Sequence, residues 1–340
     1  MQFRTLKARI ERFTGPWSGG FLYSTRNWVR EMPRSKRIIT QTGIFFQGFA
    51  IYCFWSRSLA WPLMWPKDER VVLFIALIFY AAGARMMNWM LTSEFVRKTQ
   101  LEADQIAARQ IQQTLQPGKE RLEELPGYQL ETFYKPFREV GGDYFDVIEL
   151  PGKRTLFAVA DVSGKGMPAA LLAANIQALV RSISNLEADP IEMARQINKH
   201  LCRYTPSDRF ATAVFIVLNR ETGELTSVNA GHNAPIVFGS GSVKELEATG
   251  VPLGLFPDAT YEDRKAVLDP GAALLIFTDG FTDSISGENA EERLREALAD
   301  TSGETILTLK SLVDPRFNED DVTILLVKRD ANAAFQSRRG

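Results

Sequence analysis

The residues Val159-Ala-Asp161-Val-Ser163-Gly164-Lys165-Gly166-Met-Pro168 constrain this chain more than any other stretch. The apolar run at 155–160 predicts a buried strand bounded by turn signals. Asp161 stands at its end. Glycines follow, and Pro168 is suited to the first turn of a helix that continues through an Ala/Leu-rich run. A strand that hands a carboxylate to a Gly-rich turn sets that acid at an exposed, rigidly backed point. Taken alone, this leaves two readings open: an ordinary strand-turn-helix with a solvated Asp, or an acid placed for a metal or phosphate contact.

Composition narrows the chemistry. A length of 340 residues allows two domains or one with appendages, and a net charge of -1 gives no overall polarity toward nucleic acid. The 2 cysteines, Cys53 and Cys202, are far apart and form no C-x-x-C, which excludes a disulfide scaffold or a cysteine zinc site. With only 2 histidines, any metal site must be built from oxygen and suit a hard cation. His200-Leu-Cys202-Arg203 lacks the phosphate-loop spacing of a cysteine phosphatase. Ser163-Gly-Lys165-Gly166 lacks the preceding glycine and the Lys-Ser/Thr pair of a Walker A loop.

Residues 1–37 are basic and aromatic, a composition that suits nucleic acid or an anionic membrane surface. The following segments favour the membrane. Runs at 38–56 and 71–91 are each about long enough to cross a ~30 Å hydrocarbon core. Neither is clean: Gln41 and Gln47 interrupt the first, and Arg85 lies near the end of the second. Trp55, Trp61 and Trp65 with Pro62 and Pro66 read as an interfacial belt around a turn. The expectation is a two-helix membrane hairpin over 38–91, with both ends on the cytoplasmic side of the plasma (inner) membrane by the positive-inside rule. A buried hairpin in a soluble, dimeric enzyme is the rival. Residues 92–118 then form a polar connector helix, stopped by Pro117-Gly118. Leu101, Ala108 and Leu115 fall seven apart, as a short homodimeric coiled coil requires, although a single solvated helix fits as well.

From 119 to 330 the texture is short strands and turns with a few helices. Strands are predicted at 128–134, 144–150, 155–160, 211–219, 224–229, 235–238, 272–278 and 322–327. Helices are predicted at 168–184, 190–202, 291–299 and 304–312. Strands in runs with helices grouped between them predict an α+β fold with antiparallel sheets. Residues 331–340 read as a disordered tail. Within the domain, acids recur where strands meet turns: Gly141-Gly142-Asp143-Tyr-Phe-Asp146, Asp161, Thr278-Asp279-Gly280 and Asp320-Asp321. Each Asp-Gly alone is a common turn dipeptide. Together, brought to one edge of paired sheets, such acids would repel one another unless a cation neutralised them, which suits Mg²⁺ or Mn²⁺.

Five ordered segments carry a resemblance: Gly141-Gly-Asp143-Tyr-Phe-Asp146, Asp161-Val-Ser-Gly-Lys-Gly-Met-Pro-Ala-Ala, Asn229-Ala-Gly-His-Asn-Ala-Pro235, Thr278-Asp-Gly280 and Asp320-Asp-Val-Thr323. They resemble the signature of PPM-type (protein phosphatase 2C-like) metal-dependent serine/threonine phosphatases in the bacterial SpoIIE/RsbU-like branch. The resemblance implies a four-layer α-β-β-α sandwich of two antiparallel sheets with a site for two divalent cations, Mn²⁺ or Mg²⁺, at one end. It implies that Asp161 bridges both cations, that the Val162 carbonyl is a ligand, and that Asp279, Asp320 and Asp143 complete the set. The implied reaction is attack of a metal-activated water on phosphoserine or phosphothreonine. The implied substrate is a phosphorylated regulatory protein such as an anti-sigma-factor antagonist, with no nucleic-acid partner.

Other residues in these motifs keep more than one role. His232 is either a general acid or, better, a turn residue holding its loop by hydrogen bonds. Lys165 either attracts phosphate or is a solvated loop lysine. Asp146 and Asp321 read as orienting or surface acids, and Thr323 as a hydroxyl bonded to a neighbouring carboxylate. The rival function is a non-catalytic receptor or scaffold of the same fold that binds a partner protein.

Overall fold

The computed structural model describes residues 34–55, 69–117, 125–185, 189–239, 242–285, 290–299, 305–314, 316 and 319–331. The expectations placed on the basic segment before residue 34, the Trp-rich turn at 56–68 and the tail beyond 331 lie outside the described residues. The chain divides into one unit ending at Ala103 and a second beginning at Asp104.

In the first unit, helix α1 (Arg34–Trp55) packs against the N-terminal part of helix α2 (Glu69–Leu115). The rings of Phe46 and Phe79 stand 5.4 Å apart, and the Thr40 hydroxyl donates to the sulfur of Met90 at 2.6 Å. A Cβ at Gly83 would come within 2.8 Å of the Gly43 carbonyl, so the two backbones approach where neither carries a side chain. The sequence separates an apolar segment from a polar connector at residue 92. The structure does not: α2 runs 47 residues through both, because this segment holds no proline and is rich in helix formers. A second correction concerns the spans. Among the described residues one helix, from Phe74 onward, is long and apolar enough to cross a bilayer, where two are expected. The interruption of α1 by Thr40, Gln41, Thr42 and Gln47 is the physical reason.

The second unit takes up the last turns of α2 and continues as β1 (Tyr128–Lys135), β2 (Tyr144–Leu150), β3 (Arg154–Val162), α3 (Met167–Ser184), α4 (Pro190–Tyr204), β4 (Ala211–Asn219), β5 (Glu224–Ala230), β6 (Ile236–Gly239), β7 (Ser242–Glu245), β8 (Arg264–Val267), β9 (Ala273–Phe277), α5 (Asp279–Asp283), α6 (Ala290–Ala299), α7 (Thr305–Leu312) and β10 (Val322–Arg329). Every strand pair is antiparallel. One sheet has the order β1-β10-β9-β6-β7 and the other β2-β3-β4-β5-β8.

Alternation along the strands builds the layers. On β3, Phe157 and Val159 point into a core shared with Ile276, Leu325 and Val327 of the opposite sheet. Leu156, Ala158 and Ala160 point the other way, into a core with Ile176 and Val180 of α3 and Ile197 of α4. Leu275, Ile324 and Leu326 of the first sheet turn outward onto Phe281 of α5, Leu298 of α6 and Leu309 of α7. Helices therefore cover both outer faces of two stacked antiparallel sheets. A strand buried on both sides has no polar face, which is why 155–160 reads as an unbroken apolar run. Strands β7 and β8 were not predicted. They are short, exposed edge strands, and their charged residues carry no apolar run.

Candidate active site

Strand β3 extends through Val162, so Asp161 lies inside the ladder, opposite Thr212 of β4, and not just beyond the strand's end as expected. The period of two puts both residues on the face turned toward the other sheet. The turn after Val162 is shaped by glycine: Gly164 has φ 91° and Gly166 φ 76°, backbone that strains any residue with a Cβ. Arg209 lies against Gly164 and donates to the Ser163 carbonyl at 2.9 Å, while Ser163 Oγ accepts the Phe210 N–H at 3.0 Å. The start of β4 thus fixes the turn.

Asp143 precedes β2 and is buried at 4% exposure. Its Oδ2 accepts from Thr278 Oγ1 at 2.8 Å and from Thr323 Oγ1 at 2.5 Å. These threonines follow β9 and lie on β10, so one sheet holds a carboxylate that belongs to the other. Asp321 accepts the backbone N–H of Phe137 at 2.8 Å and of Gly142 at 2.5 Å, which orients the Gly-Gly turn before Asp143. A Cβ on Gly142 would stand 3.1 Å from the Val162 carbonyl, which faces this turn. Asp279 opens α5 and is exposed; a Cβ on Gly280 beside it would collide with the Asp321 carbonyl. Asp320 pairs with Lys165 Nζ at 2.9 Å, and that ammonium also donates to the Glu319 carbonyl and lies 5.2 Å from the Phe137 ring centroid.

The acids feel one another. Burial and then the charges of Asp279, Asp320 and Asp321 push Asp161 up to about 7, with a hydrogen bond from Asp143 opposing them. Asp143 is pushed well above the usual carboxylate range by burial, then by Asp161 and Asp321. Asp279, exposed but partly desolvated by the surrounding protein, is raised by that desolvation and by Asp320 and Asp283, against the Gly280 N–H and Lys165. Asp321 is raised by burial, although its two backbone donors oppose this. Clustered carboxylates of raised pKa at the end of two paired sheets mark a site whose missing complement is positive charge.

A model of the family described as Stage II sporulation protein E (SpoIIE) matches residues 151–330. This chain belongs to the SpoIIE family. It is 26% identical over 302 residues to Protein IcfG of Synechocystis, an alignment that covers 78% of this chain but only 47% of that protein. It is 26% identical over 235 residues to Phosphoserine phosphatase RsbU of Bacillus subtilis, covering 65% of this chain and 69% of RsbU. The solved SiaA-PP2C domain of Pseudomonas aeruginosa superposes with a TM-score of 0.59 at 22% identity, covering 69% of this chain and 99% of that one, a likeness of fold.

In this SpoIIE-family domain the donor set fits a hard divalent cation: it is all oxygen, its charges repel, and glycines leave room beside it. The acids nevertheless do not form a closed coordination shell. Among the described residues, no three His, Cys, Asp or Glu side chains stand close enough to hold one ion with their present placement. Asp320 is drawn to Lys165 and Asp143 to its two threonines, while the charge of Asp320 still raises Asp161.

Asp146 is neither a surface acid nor part of the cluster. It is fully buried on the helix side of β2 and pairs with Arg181 Nε of α3 at 2.6 Å. Arg181 and Gln177 also donate to the Leu115 carbonyl at the end of α2. Gln112, one turn earlier, both accepts from the Gly141 N–H at 3.2 Å and donates to its carbonyl at 2.8 Å, in the manner of a strand partner. His232 is buried, with Nδ1 2.9 Å from Thr212 Oγ1, and burial pulls its pKa down to about 4. The sequence reading missed Gln112, Arg181, Thr212 and Thr278. Thr278 lies in the Thr278-Asp-Gly280 segment and Gln112 in the polar helix at 92–118, but nothing local marks which partner each meets.

Proposed function

We propose that this chain is a metal-dependent protein-serine/threonine phosphatase that acts on a phosphorylated regulatory protein. The observation that carries this reading is the meeting of Asp161, Asp143, Asp279, Asp320 and Asp321, which come from both sheets, at one end of the sandwich. Asp161, Asp143, Asp279, Asp320 and the Val162 carbonyl would hold two divalent cations, Mn²⁺ or Mg²⁺. When bound there, the cations supply a water of lowered pKa and offset charge on the phosphoryl oxygens. The chain's own residues do the rest. Thr278 and Thr323 hold Asp143, Asp321 holds the Gly141-Gly142 turn, and the positive-φ glycines Gly164 and Gly166 shape the turn that follows Asp161. Lys165, paired with Asp320, would be the cation that an incoming phosphate meets. RsbU bears the name phosphoserine phosphatase, which supports the same chemistry and the same substrate class here.

The expected result is phosphate release from a phosphoserine peptide that requires added Mn²⁺ and stops on chelation. If release ignores both additions, the metal-dependent reading is wrong; if no phosphate is released under any condition, a partner-binding module takes its place.

The same reading places the apolar part of α2, up to Leu91, in the inner membrane, with the catalytic domain in the cytoplasm and the chain paired with a second copy through residues 92–118. Phe74, Leu77 and Ile78 of α2 and Ile44 and Phe45 of α1 are exposed, an apolar surface that lipid would cover. Carbonate-washed membranes are expected to retain the chain, and detergent to release a particle of dimer mass. Release by carbonate alone would show a soluble enzyme.

A further inference from the structure

Resting on the phosphatase reading, we propose that Lys165 is a displaceable counter-ion: its ammonium neutralises Asp320 until a divalent cation takes that carboxylate, and then pairs with the substrate phosphate. The local chain fixes where this ammonium stands. Lys165 lies between Gly164 and Gly166, whose φ values of 91° and 76° give the turn after β3 its shape. From that turn the side chain crosses to the other sheet, where the segment leading into β10 carries Glu319 and Asp320. Its Nζ stands 2.9 Å from Asp320 Oδ2, donates to the Glu319 carbonyl and lies 5.2 Å from the centroid of the Phe137 ring.

The two oxygens of Asp320 are held differently. Oδ1 accepts the Asp321 N–H at 2.9 Å, a contact that changes only if the backbone moves. Oδ2 takes Lys165, a point charge on a flexible four-carbon stem. Of the two partners, the lysine is the one that can leave without disturbing the chain. The pair is also open to water, with the lysine side chain 39% and the aspartate 36% exposed, so it parts easily. A cation held by Asp320 would set a like charge beside the ammonium, and the two repel. The stem stays anchored in the turn that follows Asp161, which keeps the freed ammonium at the edge of the acid cluster, where a phosphate would arrive. A lysine suits this exchange better than an arginine, whose bidentate fork would grip the carboxylate more firmly. The charge of Lys165 already acts on the cluster, opposing the upward push on Asp279.

Lys165→Met is expected to give effects of opposite sign, which a lysine that merely props the loop would not. Mn²⁺ binding to the full chain in detergent, followed by electron paramagnetic resonance, should tighten about threefold to fivefold, the worth of a partly exposed ion pair. The KM for p-nitrophenyl phosphate at saturating Mn²⁺ should rise about tenfold, through loss of a charged hydrogen bond. Weaker or unchanged Mn²⁺ affinity overturns the proposal, and so does a KM that fails to rise. A double-mutant cycle then shows whether the effect runs through Asp320. In the Asp320→Asn background, Lys165→Met should no longer tighten Mn²⁺; tightening of the same size would reveal a general field effect and end the exchange. The binding measurements involve no catalysis, so the two readings fail separately. A wild-type chain that binds no Mn²⁺ ends both, whereas Mn²⁺-dependent phosphate release with an affinity indifferent to Lys165 ends the exchange alone.

Discussion

Asp161→Asn lowers kcat/KM for phosphate release by about a thousandfold or more while leaving the domain folded. On the proposed reading Asp161 would be the carboxylate shared by both cation positions, and the size follows from its loss: metal-centred stabilisation is worth several kcal/mol, and each ~1.4 kcal/mol is tenfold in rate. Folding survives because the amide keeps the shape of the acid within the β3–β4 ladder. A second outcome tests the electrostatics separately. Asp161 is repelled by Asp279, Asp320 and Asp321, so removing its charge should raise the thermal midpoint of the metal-free chain at pH 8. A variant as active as wild type in Mn²⁺ would exclude Asp161 from the chemistry. A metal-free variant less stable than wild type at pH 8 would show that repulsion does not dominate there.

The second large effect is a reversal of the usual pH dependence of stability. Asp161 titrates near 7 in the fold against an ordinary value of 3.8, and Asp143, Asp279 and Asp321 are raised as well. Between those values the folded chain holds protons that the unfolded chain has released. Stability must therefore fall as pH rises from about 4 to about 7, where the carboxylate gives up its proton against its neighbours. Chelator-treated protein is expected to lose thermal midpoint across this window. Mn²⁺ should restore it, more at pH 7.5 than at pH 5, since the ion must displace the proton. For one displaced proton, apparent Mn²⁺ affinity weakens about tenfold per pH unit below 7. Midpoints and Mn²⁺ affinities independent of pH between 5 and 7.5 would contradict the clustering of these acids.

Much of the fold was legible because its signals are local. The run at 155–160, the Gly-rich turn and Pro168 lie within one strand-turn-helix, so β3 and α3 could be placed without a partner in view. The limits of the reading have equally physical causes. The end of β3 was set one residue short of Asp161 because a carboxylate reads as a turn signal, whereas the ladder with β4 carries it as a paired residue. Helix α5 was missed because its five residues include Gly280 and have too little period to detect. Asp146 read as a surface or orienting acid because the ion pair that permits its burial comes from Arg181, 35 positions away.

The sequence alone determined the chemistry: with few histidines and cysteines and with aspartates recurring at strand–turn junctions, any metal site had to be a hard, oxygen-donor one. The strand pattern alone predicted an α+β fold with antiparallel sheets, and the four-layer arrangement came from the resemblance that the five ordered segments carry. The tertiary structure alone decided who holds whom. Thr278 and Thr323 on Asp143, Gln112 on Gly141 and Thr212 between Asp161 and His232 all depend on register and on two sheets meeting face to face. Such pairs are separated by tens to hundreds of residues, and a hydroxyl or amide in a sequence does not name its partner. The geometry that lifts Asp161 to about 7 exists only once those separate segments are brought to the same end of the sandwich.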